Sequence, residues 1–410
     1  MERFFLLVEI ASYIFTVYLF YKKKELAVMY VPVLIFAHNV IDPVFSALLY
    51  YGTISFLFLY CIFRNGTFYK HNIFAVLLFC YFLLLLTRSN DLVIIRTHIF
   101  HVFWFLLAIP LIGSIYQKYS TDTIYKELVN SAVLILLLFI VNVLMSTFYH
   151  FSPARMYGIV RGILYGNVYA AGFNILSIAL FVVALRVIIH PQLWYVLVAA
   201  VAYTFVILSL RRSVMLVSTA GIIVAMLSLL VKRNTKRFFF LGSLVVLIGL
   251  LVYSGTNVGS EFKERYELRQ LNDRELEGEQ RFAEYELVYK DMFVYNYYSP
   301  LIGFDMFNSA GNYGKGVFEM RTLHGDVPGI VHSSGIIGLV LYFLMIVTGF
   351  RSSLAAAVSV VDKMLIFFSA VALVVFTITG RFTEGASMLL IFLVLGLPLA
   401  QKDKEANFAG

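Results

Sequence analysis

The chain alternates long apolar runs with short polar joints, and no run shows the residue-by-residue alternation of a half-buried strand. A helix needs roughly 20 apolar residues to cross a bilayer core. Thirteen runs approach that length: 3–21, 25–41, 44–63, 71–87, 93–116, 127–148, 166–187, 192–210, 213–231, 237–253, 331–350, 362–379 and 383–400. Lipid tolerates only helices or closed barrels, so the pattern predicts an all-α polytopic membrane protein with about 11–13 transmembrane helices. The runs at 25–41 and 44–63 leave two readings open: two spans, or one span plus a re-entrant piece around His38, Asp42 and Pro43. Three parts follow. Residues 1–253 form a bundle of about ten spans, 254–330 form one large external loop, and 331–410 hold the C-terminal spans with a short cytoplasmic tail.

The loop is the one long departure from the apolar pattern. Between Ser254 and Val331 lie 21 of the chain's 56 charged residues. The stretches from Glu261 and from Arg281 to Met292 read as amphipathic helices, interrupted near Leu271–Asp273 and Gly278. Residues 295–316 are rich in Gly, Asn, Tyr and Ser and read as irregular loop, with Pro300 and Gly303 marking a turn. Two histidines, His324 and His332, close the segment on either side of Asp326.

Composition agrees with the pattern: 61% of the chain is hydrophobic, 14% is charged and mean hydropathy is +0.85. The first run lacks a small-residue cleavage site and ends in Lys22-Lys23-Lys24, so it is expected to be a retained helix. Cys61 and Cys80 both sit inside apolar runs and imply no disulfide framework. A net charge of +8 does not point to nucleic acid, because half of the basic residues mark every second connection between runs. Those connections hold Lys22–Lys24, Arg64, Lys70, Lys118, Lys126, Arg186, Lys232, Arg233, Lys236, Arg237, Arg351, Lys363, Lys402 and Lys404. The positive-inside rule makes them cytoplasmic and puts the loop outside.

The opposite short connections and helix mouths, apart from the long loop, carry Arg88, Arg96, Arg155, Arg161, Arg211, Arg212 and Arg381, and no Lys. Each could simply snorkel to the interface, and Arg88 and Arg381 suit that reading. Arginine also grips phosphate and carboxylate with two parallel hydrogen bonds, so together they suggest an arginine-lined external cavity. His98 and His101 with Arg96 sit at helical spacing within a run, as either an intramembrane site or a packed cluster.

The chain has no P-loop, no dinucleotide fingerprint, no HExxH and no paired cysteines, so neither a nucleotide, a metal nor another cofactor is expected. Chemistry on the outer face needs a donor that arrives already activated and already across the membrane. A lipid-linked diphosphate sugar meets that need, with cations to hold the departing diphosphate and a base for the acceptor hydroxyl. Histidine, with a reference pKa of about 6.5, suits the second task. Asp326, two residues from His324, would either orient it or only solvate the loop.

The stretch from His324 through Gly335-Ile336-Ile337-Gly338 resembles the terminal motif of the bacterial O-antigen polymerase and O-antigen ligase superfamily. In that motif a histidine is followed eleven residues later by Gly, two aliphatics and Gly at the start of a helix. Three more stretches match in order. Arg161-Gly162 with Asn167 resembles the external Arg-Gly and Asn stretch. Leu208 to Ser213 resembles the Ser-Arg-Ser junction. Gln280 to Glu284, with Ser299 to Phe304, resembles the loop arginine and its Pro-Leu-aliphatic-Gly continuation. The resemblance implies an inverting, metal-independent glycosyltransferase in the bacterial inner membrane, its site facing the periplasm and its donor an undecaprenyl-diphosphate-linked oligosaccharide. His324 would be the general base. Arg281 and Arg212 with Arg161 would hold the diphosphate; Arg211 can exchange roles with Arg212, and Arg155 lies beside the same external stretch. The lipid bilayer is a partner, and a flippase and chain-length regulator of the same pathway are candidate partners. The favoured activity is O-antigen polymerase, joining repeat units. The alternatives are O-antigen ligase, which moves the finished chain to lipid A-core, and a flippase or transporter for lipid-linked oligosaccharide.

Overall fold

The computed structural model describes residues 1–89, 91–151, 173–209, 211–231, 280–380 and 382–401, with scattered positions between 242 and 263. Its elements are helical; no strand occurs among the described residues, only two isolated bridges. The chain is an all-α, multi-pass membrane protein. Among the described residues, seven helical segments are long and apolar enough to cross a bilayer, and four shorter apolar helices accompany them.

The first expected run is α1 (Glu2–Tyr18), which widens into a π turn and stops where Lys24 turns to φ 51°. A 3₁₀ stretch, Lys24–Tyr30, then leads into α2 (Val31–Asn39), and all of residues 25–37 are buried. The larger rise of a 3₁₀ helix lets these 16 residues cover about 28 Å, close to a full crossing. Glu9 of α1 accepts the N–H groups of Val44 (2.7 Å) and Phe45 (3.2 Å), which closes α1 and α2 into an antiparallel hairpin. α3 (Ala47–Arg64) follows as a separate span. Residues 25–63 thus hold two helical segments, Lys24–Asn39 and α3, with Asp42 and Pro43 in the exposed joint between them.

The helices that follow are α4 (Ile73–Leu86), α5 (Leu92–Tyr116), α6 (Thr121–Phe148), α7 (Ile175–Ile189), α8 (Leu193–Leu208) and α9 (Arg212–Val231). The loop helix is α10 (Gln280–Phe293), and α11 (Asp326–Ala356), α12 (Val360–Thr379) and α13 (Gly385–Leu395) complete the bundle. The expected run 237–253 and the expected loop helix from Glu261 lie largely outside the described residues. Every residue of α13 is buried, as befits a helix apolar on all sides, and it packs centrally against α2, α5, α7 and α12. At its start a side chain on Gly385 would lie 2.4 Å from the His101 carbonyl oxygen, so only glycine allows that approach.

Polar contacts define the two ends of the bundle. At one end Glu25, nearly buried, holds Arg64 Nε (3.1 Å) and Lys118 Nζ (3.1 Å), while Glu127 holds Lys23 Nζ (2.7 Å) and the Tyr30 hydroxyl. The Gln401 carbonyl accepts the Thr121 N–H at the same end (2.9 Å). The other end gathers the joint at Val44, the 209–213 junction, the 380–385 connection and the loop. α11 begins at Asp326, five residues ahead of the expected boundary, and is broken at Gly335 (φ 66°, ψ −166°).

Candidate functional site

The break at Gly335 is where the loop docks. Residues 299–304 turn tightly, with Gly303 N–H donating to the Ser299 carbonyl at 2.9 Å. They then pair with the helix backbone: Ile336 N–H donates to Pro300 O (2.8 Å), Ile337 N–H to Leu301 O (3.2 Å) and Phe304 N–H to His332 O (2.7 Å). The first N–H groups of a restarted helix have no intrahelical partner, and the loop carbonyls take that role. A Cβ at Gly335 would lie 2.3 Å from the Leu301 carbonyl, and one at Gly303 2.6 Å from the His332 carbonyl oxygen. Both glycines also hold positive φ. Two stretches singled out in the sequence, Ser299–Phe304 and His332–Gly338, are thus two halves of one interlock.

Just before that interlock's second half comes the Arg321–Asp326 segment, clamped from two sides. Gly380, the left-handed cap of α12, lies so close to the His324 carbonyl that a Cβ there would fall 1.4 Å from its oxygen. The Asp326 carboxylate accepts the Phe382 N–H at 2.8 Å. On the other side α10 turns Val288 and Met292 into a small apolar cluster with Tyr298 and Val331, which buries the same face of the helix that carries Glu284.

Glu284 is fully buried. One carboxylate oxygen accepts the N–H groups of His324 (2.8 Å) and Gly325 (3.2 Å). The other accepts Arg321 Nη2 (3.0 Å) and lies 3.3 Å from His324 Nδ1. Arg321 Nε in turn points at the same His324 Nδ1 from 3.2 Å. Burial alone would raise the Glu284 carboxyl, but the neighbouring His324 imidazole and the backbone N–H groups of His324 and Gly325 outweigh it and hold the group below its ordinary range. The His324 ring keeps 28% of its surface exposed and Arg321 24%, so both reach solvent while Glu284 does not.

Each residue expected at the site has a defined place or lies outside the described residues. Arg155 and Arg161 lie outside them, as does Arg381. Arg281 is the second residue of α10, three before Glu284, and its side chain is not among those described. Arg212 is exposed at the start of α9, and Arg211 is half-buried with its guanidinium 5.5 Å above the Phe173 ring. Beside them Ser213 Oγ meets Asn174 Oδ1 (3.3 Å), and Asn174 Nδ2 donates to Glu384 Oε2 (2.9 Å). The 380–385 connection therefore touches His324 and Asp326 at one end and, through Asn174, reaches Ser213 at the other. It relates His324 to Arg211 and Arg212 through a short piece of chain, without direct contact between them.

One open reading closes. Asp326 does not orient His324; its carboxylate ties α11 to Phe382, and the carboxylate at the imidazole is Glu284. His332 is fully buried, with Nε2 3.1 Å from the Asn312 carbonyl and its ring against Tyr298 and Phe304, and is a core histidine. His101 is likewise packed, 3.3 Å from the Tyr50 hydroxyl, and Arg96 lies over the Tyr51 ring. Glu284 and Arg321 were not singled out for roles from sequence. The only signal was that Glu284 sits inside the Gln280–Glu284 stretch already noted. Among the described residues, no three His, Cys, Asp or Glu side chains converge to hold a metal ion. No protein-family model matches the chain, and no curated protein matches it either.

Proposed function

We propose that this protein is a membrane glycosyltransferase that joins undecaprenyl-diphosphate-linked oligosaccharide units on the outer face of a bacterial inner membrane, as an O-antigen or related surface-polysaccharide polymerase. The observation that carries the reading is His324 itself. It is a solvent-reaching imidazole whose ring nitrogen lies against a buried carboxylate and an arginine, at the end of the one long polar loop. The ordered sequence resemblance supports it, since two of the resembling stretches interlock in space beside this histidine.

In the proposed reaction an acceptor hydroxyl oxygen attacks the anomeric carbon of the donor sugar. The new C–O bond forms on the face opposite the departing diphosphate, which inverts the configuration. His324 takes the hydroxyl proton, and the bond between the anomeric carbon and the phosphate oxygen breaks to release undecaprenyl diphosphate. Cations stabilise the charge that develops on that leaving group, a role suited to Arg281, Arg211, Arg212 and Arg161.

The test is removal of the gene from its host, with surface polysaccharide run on a gel. Loss of a polymerase leaves lipid A-core bearing single repeat units. Bare core with accumulated lipid-linked polymer would instead mark a ligase, and complete absence of external product a flippase.

A further inference from the structure

We propose that Arg321 and Glu284 together decide which nitrogen of His324 carries the proton, and that an arriving diphosphate switches the ring into its basic form by drawing Arg321 away. The inference rests on the reading of His324 as the base.

His324 Nδ1 faces two groups that make opposite demands. Arg321 Nε, at 3.2 Å, can only donate; Glu284 Oε1, at 3.3 Å, can only accept. A neutral imidazole has one N–H. When Nδ1 is bare it accepts from Arg321, the proton sits on Nε2, and that second nitrogen has no lone pair for an acceptor hydroxyl. When Nδ1 is protonated it donates to Glu284, and Nε2 is left bare and basic.

The observed arrangement favours the first form. Arg321 aims Nε at Nδ1 and Nη2 at Glu284, so both groups are satisfied with Nδ1 bare. Glu284 does not depend on the imidazole to stay ionised, because two backbone N–H groups also hold it. It is anchored and cannot leave. Arg321 is the movable member: it extends from an irregular loop, a quarter of its side chain is exposed, and guanidinium binds phosphate with two parallel hydrogen bonds. With Arg321 Nε on a phosphate oxygen, Glu284 is the remaining partner of Nδ1. The ring then releases the Nε2 proton to water and takes one from water at Nδ1, with no net change in charge. Glu284 is a positioning residue in this scheme, and the site becomes basic only once the donor's diphosphate is in place.

The tautomer is read directly from the ¹⁵N resonances of histidine, since bare and protonated ring nitrogens are widely separated. Full-length protein labelled at histidine is reconstituted in lipid nanodiscs, and His324 is assigned by its loss in His324→Gln. The wild type without anion is expected to show Nε2–H. Undecaprenyl diphosphate and inorganic pyrophosphate are added in separate arms. A rise of roughly tenfold in the Nδ1–H to Nε2–H ratio, the change one charge-assisted hydrogen bond imposes, is the expected result with either; a response to the lipid alone identifies the lipid-linked diphosphate as the trigger. Arg321→Gln is expected to show Nδ1–H without any anion, and Glu284→Gln to hold Nε2–H in every arm. The same tautomer in the wild type with and without both diphosphates overturns the proposal, whatever the variants do. Because the readout needs no sugar transfer, a switching ring in a protein without transferase activity would overturn the proposed function and leave this inference standing.

Discussion

A fully buried glutamate survives at residue 284 because every demand of its charge is met: two backbone N–H groups on one oxygen, an arginine and an imidazole nitrogen near the other. Its carboxyl is held below the ordinary range, so the sign of its pH effect follows. Stability from Glu284 is complete above the unfolded value of about 4.3 and is lost as pH falls through the lower folded value. The thermal midpoint of the reconstituted protein should therefore hold steady down to about pH 5 and drop below it, with Glu284→Gln removing part of that drop. At neutral pH Glu284→Ala, which strands a partly buried Arg321 and two N–H groups, should cost roughly 3 kcal/mol in unfolding measurements. His324 was legible from sequence as a polar-loop histidine. Its carboxylate partner was not, because Glu284 is forty residues away and nothing in the chain pairs the two before it folds. Asp326 was nearer in sequence and drew the assignment, but helix α11 turns it toward Phe382.

Among the elements, the apolar runs located the described spans closely, since a helix in lipid must be apolar along its whole length. The break in α11 was signalled only by the resemblance, which opens a helix at Gly335; the apolar run 331–350 by itself reads as unbroken helix. Gly335 sits at φ 66° and ψ −166°, a region open to little besides glycine, and its Cα faces the Leu301 carbonyl. Gly335→Ala should therefore destabilise the protein by at least about 2 kcal/mol and loosen the 299–304 turn from the helix. Limited proteolysis in nanodiscs would read this as faster cleavage within residues 295–305. Equal cleavage in the variant and wild type would mean that the interlock does not hold the loop. The short 3₁₀-plus-α arm at Lys24–Asn39 likewise escaped the apolar pattern, which does not report the rise per residue.

Across the whole molecule, the division of charge is the feature most visible in the sequence. Lys23, Lys118 and Arg64 gather with Glu25 and Glu127 at one end, while arginines without lysine mark the short connections of the other end. The meeting of the loop with the 380–385 connection could not be seen this way. It depends on Gly380 and Phe382 approaching residues that precede them by 56 positions in the chain. It brings the base, its buried carboxylate and the Arg211–Ser213 junction to one end of a single bundle, and the central claim is that this end transfers sugar from a lipid diphosphate. The most direct measurement uses purified protein in vesicles, given the host's undecaprenyl-diphosphate-linked repeat unit as both donor and acceptor. The expected result is a ladder of longer lipid-linked chains, one undecaprenyl diphosphate released per bond formed, and no ladder from folded His324→Ala. A folded wild-type protein that leaves the donor untouched, or a His324→Ala variant that builds the ladder at near wild-type rate, would contradict it.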